Sequence, residues 1–436
     1  MTTLSPHGYY AGDRLQATAV FVLFALVAFP AIFLDARFTE AYDETRYHLP
    51  AITHFAQSLP YPDLHNYSSA TTPLYHLIFA LLLKIGFGLT ALRLINFAIS
   101  TATVAAVFIY LRRAANPSSL SLANAGTLAF AASIYVVGPA VRLTTDNLAL
   151  GCAVGVLYLV ESERRSVFGL EVILATAAVL TRQLYLWLVP LLVFYSLTNP
   201  RWGRMSKIEG VAASIIPFLA VTPLFFLWGG FANARFAPTH ELRGNIIDGR
   251  ALVMAICMLA AYSIALAPAM LQLLSSVSRL RRTLMAGLFL AATAILPVFG
   301  ARAGSYQIPM EGGWIRALAE HTPAIAGIWA LFWILFPIGI VTVVALGLYA
   351  ANSRGEIWIL TAFGFWLILN VMQTRAMAKY YEPFEILVVA RFAVRARAAS
   401  WYALGVWTLA FGFIVVDIFR FWFGSGWASP GFAPVG

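Results

Sequence analysis

Long apolar runs, separated by short polar and often arginine-bearing segments, fill this chain. A helix needs about 20 apolar residues to cross a bilayer, and fewer where other helices shelter it. The runs therefore predict spans at 15–34, 91–111, 120–138, 146–160, 167–180, 184–198, 208–228, 250–274, 283–300, 323–349, 356–373, 382–394 and 401–420, about thirteen helices in all. Several are short, 167–180 having only fourteen residues. Such pieces are expected to pack against other helices rather than against lipid. The run from Leu15 to Leu34 has no small-residue cleavage site and reads as a retained span rather than a signal peptide. No internal repeat is visible, which counts mildly against transporter folds built from inverted halves. The pattern predicts an all-α polytopic membrane protein of one integral-membrane domain, 1–436. It comprises a first span at 15–34, an outer loop at 35–90, the remaining spans in 91–420 and an outer tail at 421–436.

Composition narrows the class. Apolar residues make up 61% of the chain and charged residues 11%, against about 25% charged in a soluble domain. A soluble enzyme or a disordered chain is thereby excluded. The net charge is +10, and every basic residue except Lys84, Lys207 and Lys379 is arginine. These charges sit in clusters between apolar runs, a pattern that sets membrane orientation rather than nucleic-acid binding. Cys152 and Cys257 lie inside apolar segments and read as small buried hydrophobes, with no disulfide framework or thiolate metal site.

Charge counting orients the chain. Thr72 to Gly88 is apolar but starts at Pro73 and carries His76 and Lys84. If it lies along the surface or re-enters, the inner loops hold 15 basic and 6 acidic residues, and the outer ones 12 of each. Positive inside and neutral outside is what insertion favours, and a crossing at 72–88 would reverse it. The N-terminus is therefore expected in the cytoplasm and the C-terminus outside. His48, His54, His65, His76, His240 and His321 then fall outside or at the outer boundary.

The outer loop carries the densest polar chemistry. Asp43 and Glu44 are adjacent; on a helix Asp43 would share a face with Tyr47, and Glu44 with His48. Leu49, Ile52, Phe55, Ala56 and Leu59 then form an apolar stripe, as expected of an interfacial amphipathic helix. Taken alone, the acidic pair fits a solvated loop as well as a catalytic site. A metal site is a further reading, but there is no HExxH pattern or dense carboxylate array. Cations recur where later spans reach the outer face: Arg142 near Asp146, Arg182 before Gln183, His240 with Arg243, and Arg375 with Lys379. Arg182 interrupts a long apolar stretch, where desolvation is expensive, so it calls for an anionic partner. A lipid phosphate would match the guanidinium with two parallel hydrogen bonds. Asn66-Tyr67-Ser68 also matches a glycosylation sequon, a pattern common by chance.

Asp43-Glu44, then Tyr47-His48-Leu49-Pro50, resembles the acidic signature of the GT-C polytopic glycosyltransferases. Within that class it is most similar to the alpha-1,2-glucosyltransferases that add the terminal glucose to dolichol-linked oligosaccharide. Three stretches follow in the same order. Ala70-Thr71-Thr72-Pro73-Leu74-Tyr75 resembles the family's Thr/Pro-rich segment. Leu92-Arg93-Leu94-Ile95-Asn96 with Ser100 resembles its Leu-Arg-x-x-Asn span opening. Thr181-Arg182-Gln183 resembles its Arg-Gln turn. The matches cover roughly residues 40–185, and Arg375 to Glu385 is only loosely similar to the family's late outer loop. The family's Pro-Gly before Leu-Tyr is here Pro73 alone, and the arginine-rich composition looks more like that of a bacterial relative.

The resemblance implies a GT-C-type bundle with interfacial helices in its first outer loop. It implies transfer of a monosaccharide, a hexose such as glucose, from a polyprenyl-phosphate donor to a hydroxyl of a glycan, glycolipid or protein. The reaction would take place outside the cytoplasm: the periplasmic face of a bacterial inner membrane, or the lumen of the endoplasmic reticulum. The leaving group is already a good anion, so one base suffices and inversion is expected. Asp43 takes that role, supported by Glu44 and His48. Arg182, Arg142, His240, Arg243, Arg375 and Lys379 are donor-phosphate candidates, and Tyr47, Asp146 and Gln183 acceptor or sugar candidates. No cofactor or metal is expected, and membrane lipids rather than nucleic acid are the partners. The competing class is a transporter or flippase of a lipid-linked sugar, which would need ionisable groups near the bilayer midplane and open to both sides.

Overall fold

The computed structural model describes residues 6–34, 39–233, 249–265, 278–303, 313–351, 354–371, 378–395 and 400–422. His240, Arg243 and Arg375 lie outside them. A helix lies at the position of every expected span. The first half comprises α1 (Pro6–Ala31), α5 (Leu89–Ala114), α6 (Leu120–Ala131), α7 (Ile134–Val141), α8 (Asp146–Val160), α9 (Phe168–Thr181), α10 (Leu188–Thr198), α11 (Arg204–Ser214) and α12 (Ile216–Trp228). The second comprises α13 (Gly249–Ala265), α14 (Arg279–Ile295), α15 (Gly313–Ala319), α16 (Ala330–Ala350), α17 (Arg354–Val371), α18 (Glu382–Arg395) and α19 (Ser400–Trp422). The outer loop contributes α2 (Thr39–Asp43), α3 (Leu49–Ser58) and α4 (Leu74–Lys84).

The chain is an integral membrane protein, and the expected count of about thirteen spans is not confirmed by helix length among the described residues. Among the described residues four helices are long and apolar enough to cross a bilayer: Asp13–Ala31, Leu89–Ala114, Arg204–Trp228 and Ala330–Ala350. A fifth is reached if Pro117–Ala131 and Ile134–Val141, bent by 58°, form one broken span. Several of the others, such as Asp146–Val160 and Gln183–Thr198, are shorter, and some are sheltered by neighbouring helices. α18 is the clearest case: every residue from Glu382 to Val394 is buried, between α6, α13, α17 and α5. Its 14 residues rise about 21 Å, less than a hydrocarbon core of about 30 Å. The expected span at 323–349 also starts late. Ala324–Ile325 pairs antiparallel with Ile328–Trp329 around Gly327, whose φ of +77° suits the tight turn, and the helix begins only at Ala330.

Lipid tails are as apolar as leucine, so helices in a membrane are held by close packing rather than by water exclusion. Small residues supply the contact. Gly126 of α6 lies where an added Cβ would stand 2.8 Å from Ala390 Cβ of α18. Gly339 of α16 lies directly on the Ile256 carbonyl of α13.

A second, smaller core supports the outer loop. Ile52 and Phe55 of α3, Tyr75 and Phe79 of α4, and Leu92 of α5 are fully buried in it, with Val179, Val221 and Trp228. The apolar stripe predicted over 49–59 is present, and its centre packs on α4. The 11 residues of α4 rise about 16 Å, too few to cross a bilayer by themselves.

Candidate functional site

The ends of four elements meet at one cleft. Asp43 closes α2, Asp146 opens α8, Arg182 follows the last residue of α9, and Lys379 and Tyr380 lie in the 3₁₀ turn just before α18. The placements suit the helix dipoles: Asp146 is in the first turn of α8 and Arg182 just past the carboxyl end of α9. Helix ends also leave backbone groups without intrahelical partners, so polar side chains gather there.

Two ion pairs of alternating sign result. Lys379 Nζ is 3.1 Å from Asp43 Oδ2, and Arg182 Nη1 donates to Asp146 Oδ1. The anionic partner expected for Arg182 is thus Asp146, from the same chain. The Arg182 guanidinium lies 4.7 Å from the centre of the Tyr380 ring and the Lys379 ammonium 5.5 Å from it, both within cation–π range. Burial by itself would lower the Lys379 ammonium; Tyr380, Asp43 and Asp146 outweigh it and hold it above the usual amine range. The cleft has about 500 Å³ of empty space, part of it open to solvent. Arg182, Lys379 and Asp146 line it together with the aromatic residues Trp187, Trp366, Tyr185 and Phe384. Cations and aromatic side chains thus line the same cleft.

The acidic pair divides. Glu44 starts a π-helical turn, Glu44–His48, that ends with the Leu49 N–H donating to the Glu44 carbonyl. Its carboxylate is fully buried, takes Nε of Arg93 at 3.1 Å on both oxygens together with an Nη2 bond, and accepts the Leu143 N–H at 2.8 Å. Glu44 therefore anchors the turn to α5 and to the chain after α7. Asp43, one residue earlier, remains partly exposed and reaches the cleft through its pair with Lys379. Gly138 of α7 makes room for Glu40 of α2: an added Cβ would lie 2.5–2.9 Å from the Glu40 carboxyl atoms. These contacts fix where α2 ends and so where Asp43 stands.

The remaining predicted residues scatter. Arg142 is buried and donates to the carbonyls of Ala31, Val141 and Leu34, which turns its charge to backbone rather than to the cleft. Gln183 ties two loops, donating to the Ala70 carbonyl at 2.5 Å and the Phe231 carbonyl at 3.0 Å. Tyr47 packs edge-on against Tyr42 with centroids 5.9 Å apart. His48 is buried and bonds His76 through Nδ1 at 2.8 Å. Burial, then the nearby Lys379 and Arg182 charges, lowers it to about 3, so it is neutral. Among the described residues no group of three or more His, Cys, Asp or Glu is arranged to hold a metal ion.

Three residues that sequence reasoning left without a role prove central here. Arg93 holds Glu44, Tyr380 lies under both cations, and His76 bonds His48. Arg93 carried a signal, since it interrupts the apolar opening of a predicted span. Asn96 shows what that opening does: it donates to the carbonyls of Pro139 and Arg142 at 2.7 and 2.8 Å and accepts from Tyr75 at 3.0 Å. It thereby satisfies backbone groups left over at the end of α7.

No family model matches the chain, and no curated protein does. Among solved structures it is similar to the crystal structure of ArnT from Cupriavidus metallidurans in the apo state. Identity is 18%, 87% of this chain and 78% of that chain are covered, and the TM-score is 0.37. That superposition is too loose to assign a fold or an activity to this chain.

Proposed function

We propose that this chain is a membrane glycosyltransferase of GT-C type that moves a hexose from a polyprenyl-phosphate donor to an acceptor hydroxyl outside the cytoplasm. The observation that carries the reading is the pairing at the cleft: two cations line it together, and Asp43 is the counter-ion of one of them. The acidic loop resemblance points to the same residue.

A donor phosphate entering the cleft meets Arg182 and Lys379, with its isoprenoid tail against the aromatic residues of the lining. It competes with Asp43 for Lys379 and so frees the Asp43 carboxylate when the donor is in place. The acceptor oxygen then attacks the anomeric carbon, the bond from that carbon to the phosphate oxygen breaks, and the acceptor proton passes to Asp43. Polyprenyl phosphate leaves as an anion stabilised by the two cations. One direct displacement inverts the anomeric centre, through an oxocarbenium-like transition state. In this reading Asp146 keeps Arg182 oriented, Glu44 positions the acidic loop, and Arg142 and Gln183 belong to the scaffold.

The test is Asp43→Asn in folded protein, assayed for transfer from a polyprenyl-phosphate hexose. A general base contributes about 10²–10⁴-fold, so kcat should fall by at least a hundredfold. Activity within a few-fold of the parent removes Asp43 as the base.

A further inference from the structure

Tyr67, His76 and His48 form a buried hydrogen-bond chain to which the reaction scheme above assigns no role. The Tyr67 hydroxyl is 2.7 Å from His76 Nδ1, and His76 Nε2 is 2.8 Å from His48 Nδ1. All three side chains are buried. Their rings are locked by neighbours. His48 and His76 stack with centroids 5.1 Å apart, and Phe55 and Trp228 both stack on Tyr67, at 5.2 and 5.7 Å. Tyr75 meets His76 edge-on.

Two ring nitrogens 2.8 Å apart share one hydrogen. Both imidazoles are neutral: burial and then Lys379 and Arg182 lower His48, while burial and then His48 lower His76. Of the other charged groups near them, Glu44 is bound to Arg93 and Asp43 to Lys379. Tyr67 sets the direction of the shared hydrogen. Burial keeps its hydroxyl protonated against the nearby Thr71 and Ser69 hydroxyls, which act the other way, and its bonded acceptors are His76 Nδ1 at 2.7 Å and the Thr72 carbonyl at 3.4 Å. The first is a full-strength distance and the second is not. With Tyr67 donating to Nδ1, His76 carries its hydrogen on Nε2 and donates to His48 Nδ1. His48 must then hold its own hydrogen on Nε2. Among the described residues nothing bonds that nitrogen.

We propose that Tyr67 and His76 are positioning residues that fix His48 as its Nε2–H tautomer, so that it offers one neutral N–H donor next to the Arg182–Lys379 anion site. Its use there rests on the transferase reading: the donor would go to a phosphate oxygen. A free imidazole divides its proton between two nitrogens, and the bond made by one nitrogen settles the state of the other. A neutral donor adds a hydrogen bond without a third positive charge beside two existing ones.

The experiment is ¹⁵N-histidine NMR on the full-length protein in micelles, with the His48 signals assigned by His48→Asn. In the parent, His48 should be neutral with Nε2 protonated from pH 7.5 down to pH 5. Tyr67→Phe keeps the ring stack but removes the donor, and should give mixed His48 tautomers. His76→Leu should do the same, whereas His76→Gln, whose amide N–H can still donate to Nδ1, should restore the parent state. Affinity for a polyprenyl monophosphate should weaken about tenfold in the first two variants and recover in the third. A parent His48 protonated on Nδ1, or a tautomer unmoved by both Tyr67→Phe and His76→Leu, overturns the proposal. The two readings fail separately. Tautomer shifts in a protein that transfers no sugar leave the relay standing and remove the transferase. Normal transfer with an unmoved tautomer removes the relay alone.

Discussion

Arg182 and Lys379 bring like charges into one cleft, and each tolerates the other because a carboxylate lies beside it. Removing either partner leaves an unbalanced charge in a partly desolvated place, so effects at this cleft should be large and separable. Arg182→Ala is expected to raise the donor KM at least tenfold with a much smaller effect on the acceptor KM. Arg182→Lys should not restore it, because an ammonium cannot reproduce the planar fork on a phosphate. Steady-state kinetics with donor and acceptor varied in turn decides this; a larger acceptor effect would move the phosphate site elsewhere. His48 yields a pH prediction. It is held neutral down to about 3 in the folded chain, whereas an unfolded histidine titrates near ~6.5. Between those values the unfolded chain binds the extra proton, so folding stability should drop as pH falls from about 6.5 toward 3. Melting curves of the parent and His48→Asn in detergent at pH 7.5 and 5 should show the smaller acid loss in the variant. Equal losses would show that His48 protonates freely in the fold.

At the scale of elements, the π-helical turn at Glu44–His48 does what a regular helix was expected to do. It turns Glu44 and His48 inward together while Asp43 stays at the cleft. π turns interrupt helices where a side chain must be re-aimed. The turn is held by the buried Glu44–Arg93 pair, and breaking such a pair from one side costs about 3–5 kcal/mol. Glu44→Ala should therefore lower the melting temperature markedly and reduce activity through misplacement of Asp43. Replacing both partners together by apolar residues should recover much of the stability without the activity. The α13–α16 contact makes a second demand. A side chain at Gly339 would meet the backbone carbonyl of Ile256, which cannot swing aside as a side chain can. Gly339→Ala is expected to destabilise by about 1–3 kcal/mol, whereas Gly364→Ala, where an added Cβ meets nothing within 4 Å, should be nearly neutral in the same melts.

Over the whole molecule the chemistry gathers at one end of the bundle. α18 runs from the Lys379–Tyr380 turn at one end to Arg391 and Arg395 at the other, where Glu161 and Glu356 bind them at 2.9 Å. Charge counting puts the cleft end outside and the arginine-rich end in the cytoplasm. Ser68→Cys and Arg204→Cys, both at exposed positions, test this in a background lacking Cys152 and Cys257. An impermeant maleimide added to intact cells should label the first and not the second. The reverse pattern would place Asp43 in the cytoplasm and end the proposed reaction scheme.

The sequence by itself determined that the chain is helical and membrane-embedded, roughly where most of its helices lie, and that Asp43 and Arg182 deserve scrutiny. The helices follow from apolar run length and Arg182 from the cost of a charge in an apolar stretch, both properties of neighbours along the chain, whereas Asp43 came from the resemblance of its loop to an acidic signature. Only the tertiary structure decided which charges face one another. Lys379 reaches Asp43 across 336 positions, Arg93 reaches Glu44 across 49 and His76 reaches His48 across 28. It also separated Asp43 from Glu44, adjacent acids of equal chemistry, because one ends a helix at a cleft and the other is drawn under it by an arginine. Ion pairs and hydrogen bonds are settled within a few ångströms of space, and spacing along the chain carries no information about that distance once the chain has folded back on itself.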